Sequence, residues 1–416
     1  MEERKMKKSL AFVLMLALVL CVSAFAFADG TVLTRADVNY VKAEAPAAAA
    51  ENGVVSEEEW AAVYPEIVAS YQSNADNNYS VEYLDQDPYL RNIYEGFGFA
   101  KMYLSAKGHT YCLEDIGDTA RPHPLANCLT CKTADFTALV NDLGAEAYSL
   151  SFDEVFPAMT SNVGCYNCHE NSAGDLVVTH DYINKTLASD LEKIDKDVLA
   201  CGQCHIEYYF RPEDKGTDIP YVSVDTMGPD DMLAFYDAIG YADWTQESTG
   251  AKLLKVQHPE METYLGAGSM HAIGGITCAD CHMAVEATED GTAYISHKLV
   301  SPLESESILQ GVCASCHASV DMAEKVHAIQ DKITARETEV GTALSDYKDA
   351  VAAANASGEY SEEELEQLRG ALRSAQWYFD FCYVENSEGA HNSALANNCL
   401  DKAAAIIEEA QAYFKA

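Results

Sequence analysis

The sequence predicts a mainly α-helical chain with few short strands and long C-terminal helices, and three observations predict it. Five Cys-x-x-Cys motifs punctuate the stretch 128–316, between short segments broken by Gly and Pro. Alternating strand patterns are rare, Tyr294-Ile-Ser-His297 being the clearest. After Ala318 the apolar residues return every three to four positions, the period of a helix with one buried face.

Taken in chain order, 1–28 reads as a signal peptide. Arg4, Lys5, Lys7 and Lys8 precede an apolar run from Ser9 to Phe27, and Ala26-Phe27-Ala28 places small residues at the cleavage spacing. An uncleaved anchor is the competing reading, since the run is only marginally short of a span. Either way the chain is exported, to the periplasm or the outer face of the membrane, where disulfides persist. Residues 29–317 hold the motifs. Within them Lys42 to Asn52, rich in Ala and Glu, is expected to be a flexible arm or a poorly packed helix. A helix is expected from Ser56, with Trp60, Val63, Tyr64 and Ile67 on one face, and a second, aromatic-rich helix over Tyr89 to Tyr103. Residues 318–416 are expected to be a helical part of the same domain. One long helix covers Ala318 to Ala354 with Met322, Val326, Ile329, Ile333 and Val340 on its stripe. Gly358 breaks it, Ser361-Glu-Glu-Glu364 caps a second, and a third runs from about Ser393 to Tyr413. These helices suit either intramolecular packing or a homodimer interface.

Composition sets limits. At 416 residues and 48% hydrophobic content the chain can bury a large core. A formal charge of −39 repels phosphates and excludes nucleic acid as a partner. An anionic substrate would need a locally positive site.

The motifs carry the chemistry. Four read CxxCH: Cys165–Cys168–His169, Cys201–Cys204–His205, Cys278–Cys281–His282 and Cys313–Cys316–His317. The first, Cys128-Leu-Thr-Cys131-Lys132, has lysine where the others have histidine. With 14 Cys and 12 His in the chain, chance would supply CxxCH roughly 0.01 times. Zinc sites pool two CxxC units per metal and give no reason for a histidine after each second cysteine. In a c-type haem site both thiols become thioethers and the next residue ligates the iron, so five haem c are expected. Lys132 can bind iron only as the neutral amine, and one haem is chemically unlike the rest. The motifs use four histidines, leaving His109, His123, His180, His258, His271, His297, His327 and His391. An electron-transfer haem closes both axial positions, and a catalytic haem keeps one open. The lysine-bearing haem is the one expected to be open.

CxxCK at the first motif, Cys201-Gly-Gln-Cys204-His205-Ile-Glu207-Tyr208-Tyr209-Phe210 and Lys255-Val-Gln257-His258-Pro259-Glu260 together closely resemble the ammonia-forming pentahaem cytochrome c nitrite reductases. Further matches are Gly108-His109-Thr-Tyr111, Ala375-Gln-Trp377 and Gly389-Ala-His391-Asn392. The resemblance implies a lysine-ligated catalytic haem fed by four bis-histidine haems. It also implies distal ligands His297, His109, His391 and His271 for the second to fifth haems, and catalytic roles for Arg121, Tyr208 and His258 beside Lys132. A calcium ion is implied near the active haem, held by the Glu207 carboxylate, the Gln257 amide oxygen and the carbonyls of Tyr208 and Lys255, an all-oxygen set suited to a hard cation. The implied partners are nitrite, an electron-donor cytochrome that can be membrane-bound and quinol-oxidising, and a second copy of the chain. His123, His180 and His327 receive no role and are expected at the surface.

A purely electron-carrying multihaem cytochrome, or a reductase acting on hydroxylamine or sulfite, are the alternatives. The segment between Arg121 and Cys128 and the region after His391 look reduced relative to the family, which bears on channel shape and dimer contacts. Outside the motifs lie Cys21, in the apolar run of the leader, and Cys112, Cys382 and Cys399. Cys382 and Cys399 flank His391, so a helical hairpin would set them opposite one another. They are expected either to be bonded, tethering the His391 loop, or to be two small buried hydrophobes.

Overall fold

The computed structural model describes residues 32–40 and 42–414, so the expected signal peptide lies outside the described residues. The fold is mainly helical, with short helices and 3-10 turns up to residue 317 and three long helices after it. The strands form two-residue and three-residue antiparallel pairs: Tyr209–Phe210 with Thr217–Asp218, Trp244–Thr245 with Lys252–Leu253, and Val285–Ala287 with Ala293–Ile295. The last pair contains the one strand signal read from the sequence.

The helix expected from Ser56 is two pieces. Ser56 caps Glu57–Ala61 through a reciprocal bond with Glu59, and Pro65 opens Pro65–Gln72, where its missing N–H costs nothing. The expected helix over Tyr89 to Tyr103 is a correction: only Tyr89–Ile93 is α-helical, with a 3-10 turn at Gly98–Ala100. Gly96 has φ +85°, a left-handed conformation that breaks the helix between them. The Lys42 to Asn52 segment is neither helical nor loose. It has no regular structure and is pinned by an ion pair of Lys42 with Asp175, by Ala43 N–H to Tyr64 Oη (2.8 Å) and by Asn52 to Asp135 (2.7 Å).

The C-terminal helices are Met322–Ser357, Glu362–Tyr383 and Ser393–Gln411. Gly358, at φ +70°, ends the first, and Ser361 with Glu364 caps the second. Their apolar stripes, including Leu344, Tyr347, Val351, Leu372, Trp377, Leu400 and Ala403, share one buried cluster with Leu84, Leu90, Tyr94, Tyr236 and Val256. The helical region and the motif region therefore have a common core. Among the described residues no helix is long and apolar enough to cross a membrane.

Cys382 and Cys399 are both buried and carry separate thiols, against the tethering expectation. The sulfur of Cys382 turns to the first long helix instead, donating to Glu337 Oε1 at 3.2 Å. Glu337 is 6% exposed, and burial raises its carboxyl from 4.5 to about 7 against the help of that thiol. The folded chain thus keeps a proton that the unfolded chain releases above about pH 4.5. This contribution to stability is complete below that pH and is lost as pH rises through about 7. Glu337→Gln keeps an acceptor for Cys382 and removes the titration. Relative to the native chain it should gain about 3 kcal/mol between pH 4 and pH 8. Denaturant midpoints measured across that range check this, and parallel pH curves for the two proteins would refute it.

Candidate haem and substrate site

Each attachment motif sits on a helical turn. Cys165–His169 and Cys278–His282 are five-residue helices, Cys201 lies in Lys196–Gly202, Cys128 in the 3-10 turn Ala126–Leu129, and Ala314–His317 follows a wide turn at Leu309–Cys313. Positions i, i+3 and i+4 share a helix face. Both thiols and the residue after them therefore project together, as attachment from one side of a porphyrin requires.

The remote histidines face these turns. Ring centroids are 6.3 Å apart for His169 and His297, 6.1 Å for His205 and His109, 6.1 Å for His282 and His391, and 6.3 Å for His317 and His271. A metal–imidazole bond of about 2.0–2.1 Å on each side predicts roughly 6.3 Å between two imidazole centroids that share one metal. The residues fit four bis-histidine haems. His205 has a second imidazole neighbour, His258, at 6.3 Å. Glu260 stands 3.8 Å from Nδ1 of both His205 and His258, so His258 belongs to the Nδ1 side and His109 to the side where Nε2 would meet iron. Burial lowers His109 and His297 to about 4, which keeps these imidazoles neutral and ready to ligate.

The motif sulfurs interleave. Cys131 of the first motif reaches Cys204 of the third, and Cys201 of the third reaches Cys278 of the fourth. Cys168 of the second lies near Cys201, and Cys281 of the fourth near Cys313 of the fifth. The attachment sites follow the order first, third, fourth, fifth, with the second branching from the third.

His180 is not at the surface, as the sequence suggested. It is 4% exposed and its Nε2 lies 3.2 Å from Cys204 Sγ, with Cys131 beside them. As thiolates these would be a metal-ligand set, but cysteines consumed as thioethers no longer offer one. His123 is half-buried rather than superficial. Its Nδ1 is 2.7 Å from the Arg121 carbonyl and its ring meets Phe152 edge-on at 4.2 Å, so it supports the turn carrying Arg121. His327 is exposed, as expected.

Around the lysine motif, Arg121 and Tyr208 come together: Tyr208 is within electrostatic reach of Arg121, Cys128 and Cys131, and burial pushes its phenol up. The Arg121 guanidinium lies 4.4 Å over the Phe99 ring, and its Nε donates to Thr119 at 3.1 Å. Lys255 Nζ lies 5.0 Å from the same ring and 3.5 Å from Asp380. The Lys255 ammonium is thus buried and paired with Asp380, which leaves Arg121 as the cation of this group that can meet an anion. The residues missed by sequence reasoning are Phe99 and Glu260. Aromatic periodicity drew Phe99 into a helix, and Glu260 was visible as a quoted neighbour of His258 without a role.

The expected calcium ligands also fit a cation. Glu207 is 1% exposed, and accepts from Gln257 N–H at 2.6 Å and Tyr236 Oη at 2.9 Å. The Gln257 side-chain Nε2 donates to the Lys255 carbonyl at 2.8 Å, so the Gln257 side chain and that carbonyl lie together beside Glu207. Burial holds the Glu207 carboxyl well above its usual range and raises Glu262 to about 8 and Asp243 to about 6. Glu262 Oε2 has no hydrogen-bond partner. The Lys255 ammonium cannot compensate them, because it is directed to Asp380 and the Val256 carbonyl. A buried acidic group of this kind is what a hard cation neutralises.

Five attachment turns, four of them faced by a second imidazole, define a multihaem c-type cytochrome. The chain belongs to the cytochrome c552 family, whose profile matches residues 56–416. Its structure is similar to the catalytic subunit of cytochrome c nitrite reductase from Desulfovibrio desulfuricans ATCC 27774, described with two calcium sites, at 26% identity and a TM-score of 0.78 over 86% of each chain. It also matches the outer cell wall cytochrome OcwA at 19% identity and TM-score 0.41, over 72% of this chain and 48% of that one. An undecahaem cytochrome from the S-layer of Carboxydothermus ferrireducens matches at 19% identity and TM-score 0.39, over 74% of this chain and 41% of the other.

Proposed function

We propose that this oxidoreductase reduces nitrite to ammonium at the Cys128–Cys131–Lys132 site, fed with electrons through the four histidine-paired sites. The observation that carries this reading is the asymmetry among the motifs: four are faced by an imidazole at the spacing of a closed iron, while the lysine motif is faced by Arg121 and Tyr208. Similarity to a nitrite reductase subunit over most of both chains supports it.

Cys128, Cys131 and Lys132 would hold a haem there, which would supply an iron to bind the anion and the electrons to reduce it. The overall change consumes nitrite, six electrons and eight protons, and yields ammonium and two waters. The Arg121 guanidinium holds the nitrite oxygens and offsets negative charge as the N–O bonds break. Phe99 fixes its guanidinium, limiting the entropy lost on binding. His258 donates protons from its Nε2 side while Glu260 faces its Nδ1, and Tyr208 orients the bound anion through its hydroxyl. Glu207, Gln257 and the carbonyls of Tyr208 and Lys255 would hold calcium behind Tyr208, fixing the backbone that presents the phenol. We further infer that the chain is exported to the periplasmic side, works as a homodimer and takes electrons from a donor cytochrome, membrane-bound and quinol-oxidising or soluble.

Arg121→Ala should retain its haem content and lose nitrite turnover by on the order of a hundredfold. The assay is oxidation of a reduced viologen with ammonium quantified, and full activity in the variant would remove Arg121 from the site. Native protein that oxidises viologen with hydroxylamine or sulfite but forms no ammonium from nitrite would instead select the alternative substrates. No turnover with any of them would leave an electron carrier.

Exhaustive chelation should depress nitrite turnover, with recovery on adding calcium. Purified protein that is fully active and free of calcium by elemental analysis would eliminate the ion.

A further inference from the structure

The hydrogen-bond partners of the axial histidines differ from one site to another. With Nε2 committed to iron, Nδ1 carries a proton and donates it. His169 donates to the Asp175 carbonyl at 2.7 Å and His297 to the Ile295 carbonyl at 3.1 Å, so both ligands of the second haem have neutral partners. His282 of the fourth donates to the Val300 carbonyl at 3.0 Å. His391, opposite it, donates instead to the Glu385 carboxylate at 2.5 Å. Glu385 is 4% exposed, and its other oxygen accepts from Ser387 Oγ at 2.5 Å. Ser387 Oγ in turn accepts the His391 N–H at 2.9 Å, which closes a loop around the ligand. His205 of the third haem faces Glu260 at 3.8 Å, and Glu260, 7% exposed, accepts from Asn386 Nδ2 at 2.5 Å. The consecutive residues Glu385, Asn386 and Ser387 thus secure both carboxylates.

We propose that Glu385 and Glu260, secured by the Glu385-Asn386-Ser387 turn, are positioning residues that give His391 and His205 imidazolate character and make the fourth and third haems the low-potential members of the relay. The proposal rests on the haem assignments made above. A carboxylate accepting from a ligating imidazole draws its proton outward and raises the basicity of the coordinating nitrogen. Extra electron density and a nearby negative charge favour ferric over ferrous iron, and burial leaves that charge poorly screened. Geometry ranks the two. Glu385 is at hydrogen-bond distance from one imidazole, while Glu260 is beyond it and divided between His205 and His258. The fourth haem should therefore lie lowest, the third next, and the second, with two carbonyl partners, above both.

The test is a spectropotentiometric titration of the full, haem-loaded protein. Glu385→Gln keeps an oxygen acceptor for His391 and removes the charge. It should raise one midpoint by a tenfold or larger change in the ferric–ferrous ratio, about 59 mV for one electron, with the others unmoved. Glu385→Asp should restore much of the native value. Glu260→Gln should raise a different midpoint by less. In the native protein, the near-infrared charge-transfer bands of the bis-histidine haems should include one at the higher energy of an imidazole–imidazolate pair. Glu385→Gln with five covalent haems and unchanged midpoints overturns the proposal, as do native bands that are all alike, a result that stands even if the variants fail to accumulate. A chain that binds no covalent haem by pyridine haemochrome would mean that the haem assignments fail, a separate outcome from five haems with unmoved potentials.

Discussion

An iron held between two imidazoles requires that two side chains from remote stretches approach to about 6 Å ring to ring, face one another and remain neutral. In this chain that demand is met by pairs drawn from distant segments: His109 with His205, His169 with His297, and His282 with His391. Each pair closes a long loop, and the entropy of closing it must be recovered from ligation and from packing nearby. This explains why regular structure is sparse before residue 317. Short helical turns suffice to project two thiols and a ligand, and longer elements would obstruct the close approach of one motif to the next seen between Cys131 and Cys204. The long helices come afterwards, where they can seal the assembly along Leu344, Leu372 and Leu400 without crossing a haem slot.

The second governing feature is how a chain of charge −39 arranges charge inside. Buried acidic side chains recur in three places: Glu207 and Glu262 at the site proposed for calcium, Glu260 between His205 and His258, and Glu385 behind His391. Arg121, against the Phe99 ring, supplies the opposite sign at the site proposed for the anion. Surface charge keeps the protein solvated, while a few buried groups determine what can bind.

Much of this was legible in the sequence. The motif spacing marks both thiols and the next residue because a helical turn places positions i, i+3 and i+4 on one face, and the capping residues Ser56 and Ser361 lie where their helices begin. What was not legible depended on contacts between segments remote in sequence. Aromatic spacing over Tyr89 to Tyr103 resembled a helix, but the rings of Phe97 and Trp244 stack at 4.5 Å and Gly96 turns the chain to allow it. His180 looked like a spare surface residue because nothing local reveals that Cys204 closes over it. The placement of Cys382 and Cys399 about His391 suited a bond or two buried thiols equally, and it is Glu337, from a third helix, that takes the Cys382 thiol.

The Glu385-Asn386-Ser387 turn illustrates why an acidic residue beside a ligand cannot be weighed from sequence alone. Glu385 and Glu388 both lie close to His391 in the chain, but only Glu385 is directed at its Nδ1, and Glu388 takes a left-handed φ of 53° as the loop bends back. Which of them acts on the histidine is decided by that bend, together with the bond from the His391 backbone to Ser387. Asn386, between them, reaches a carboxylate that faces two other imidazoles. A single turn is thereby connected to His391, to His205 and to His258. In the proposed reading, electron relay and proton supply share this physical support, and a change in the turn would be felt at all three histidines.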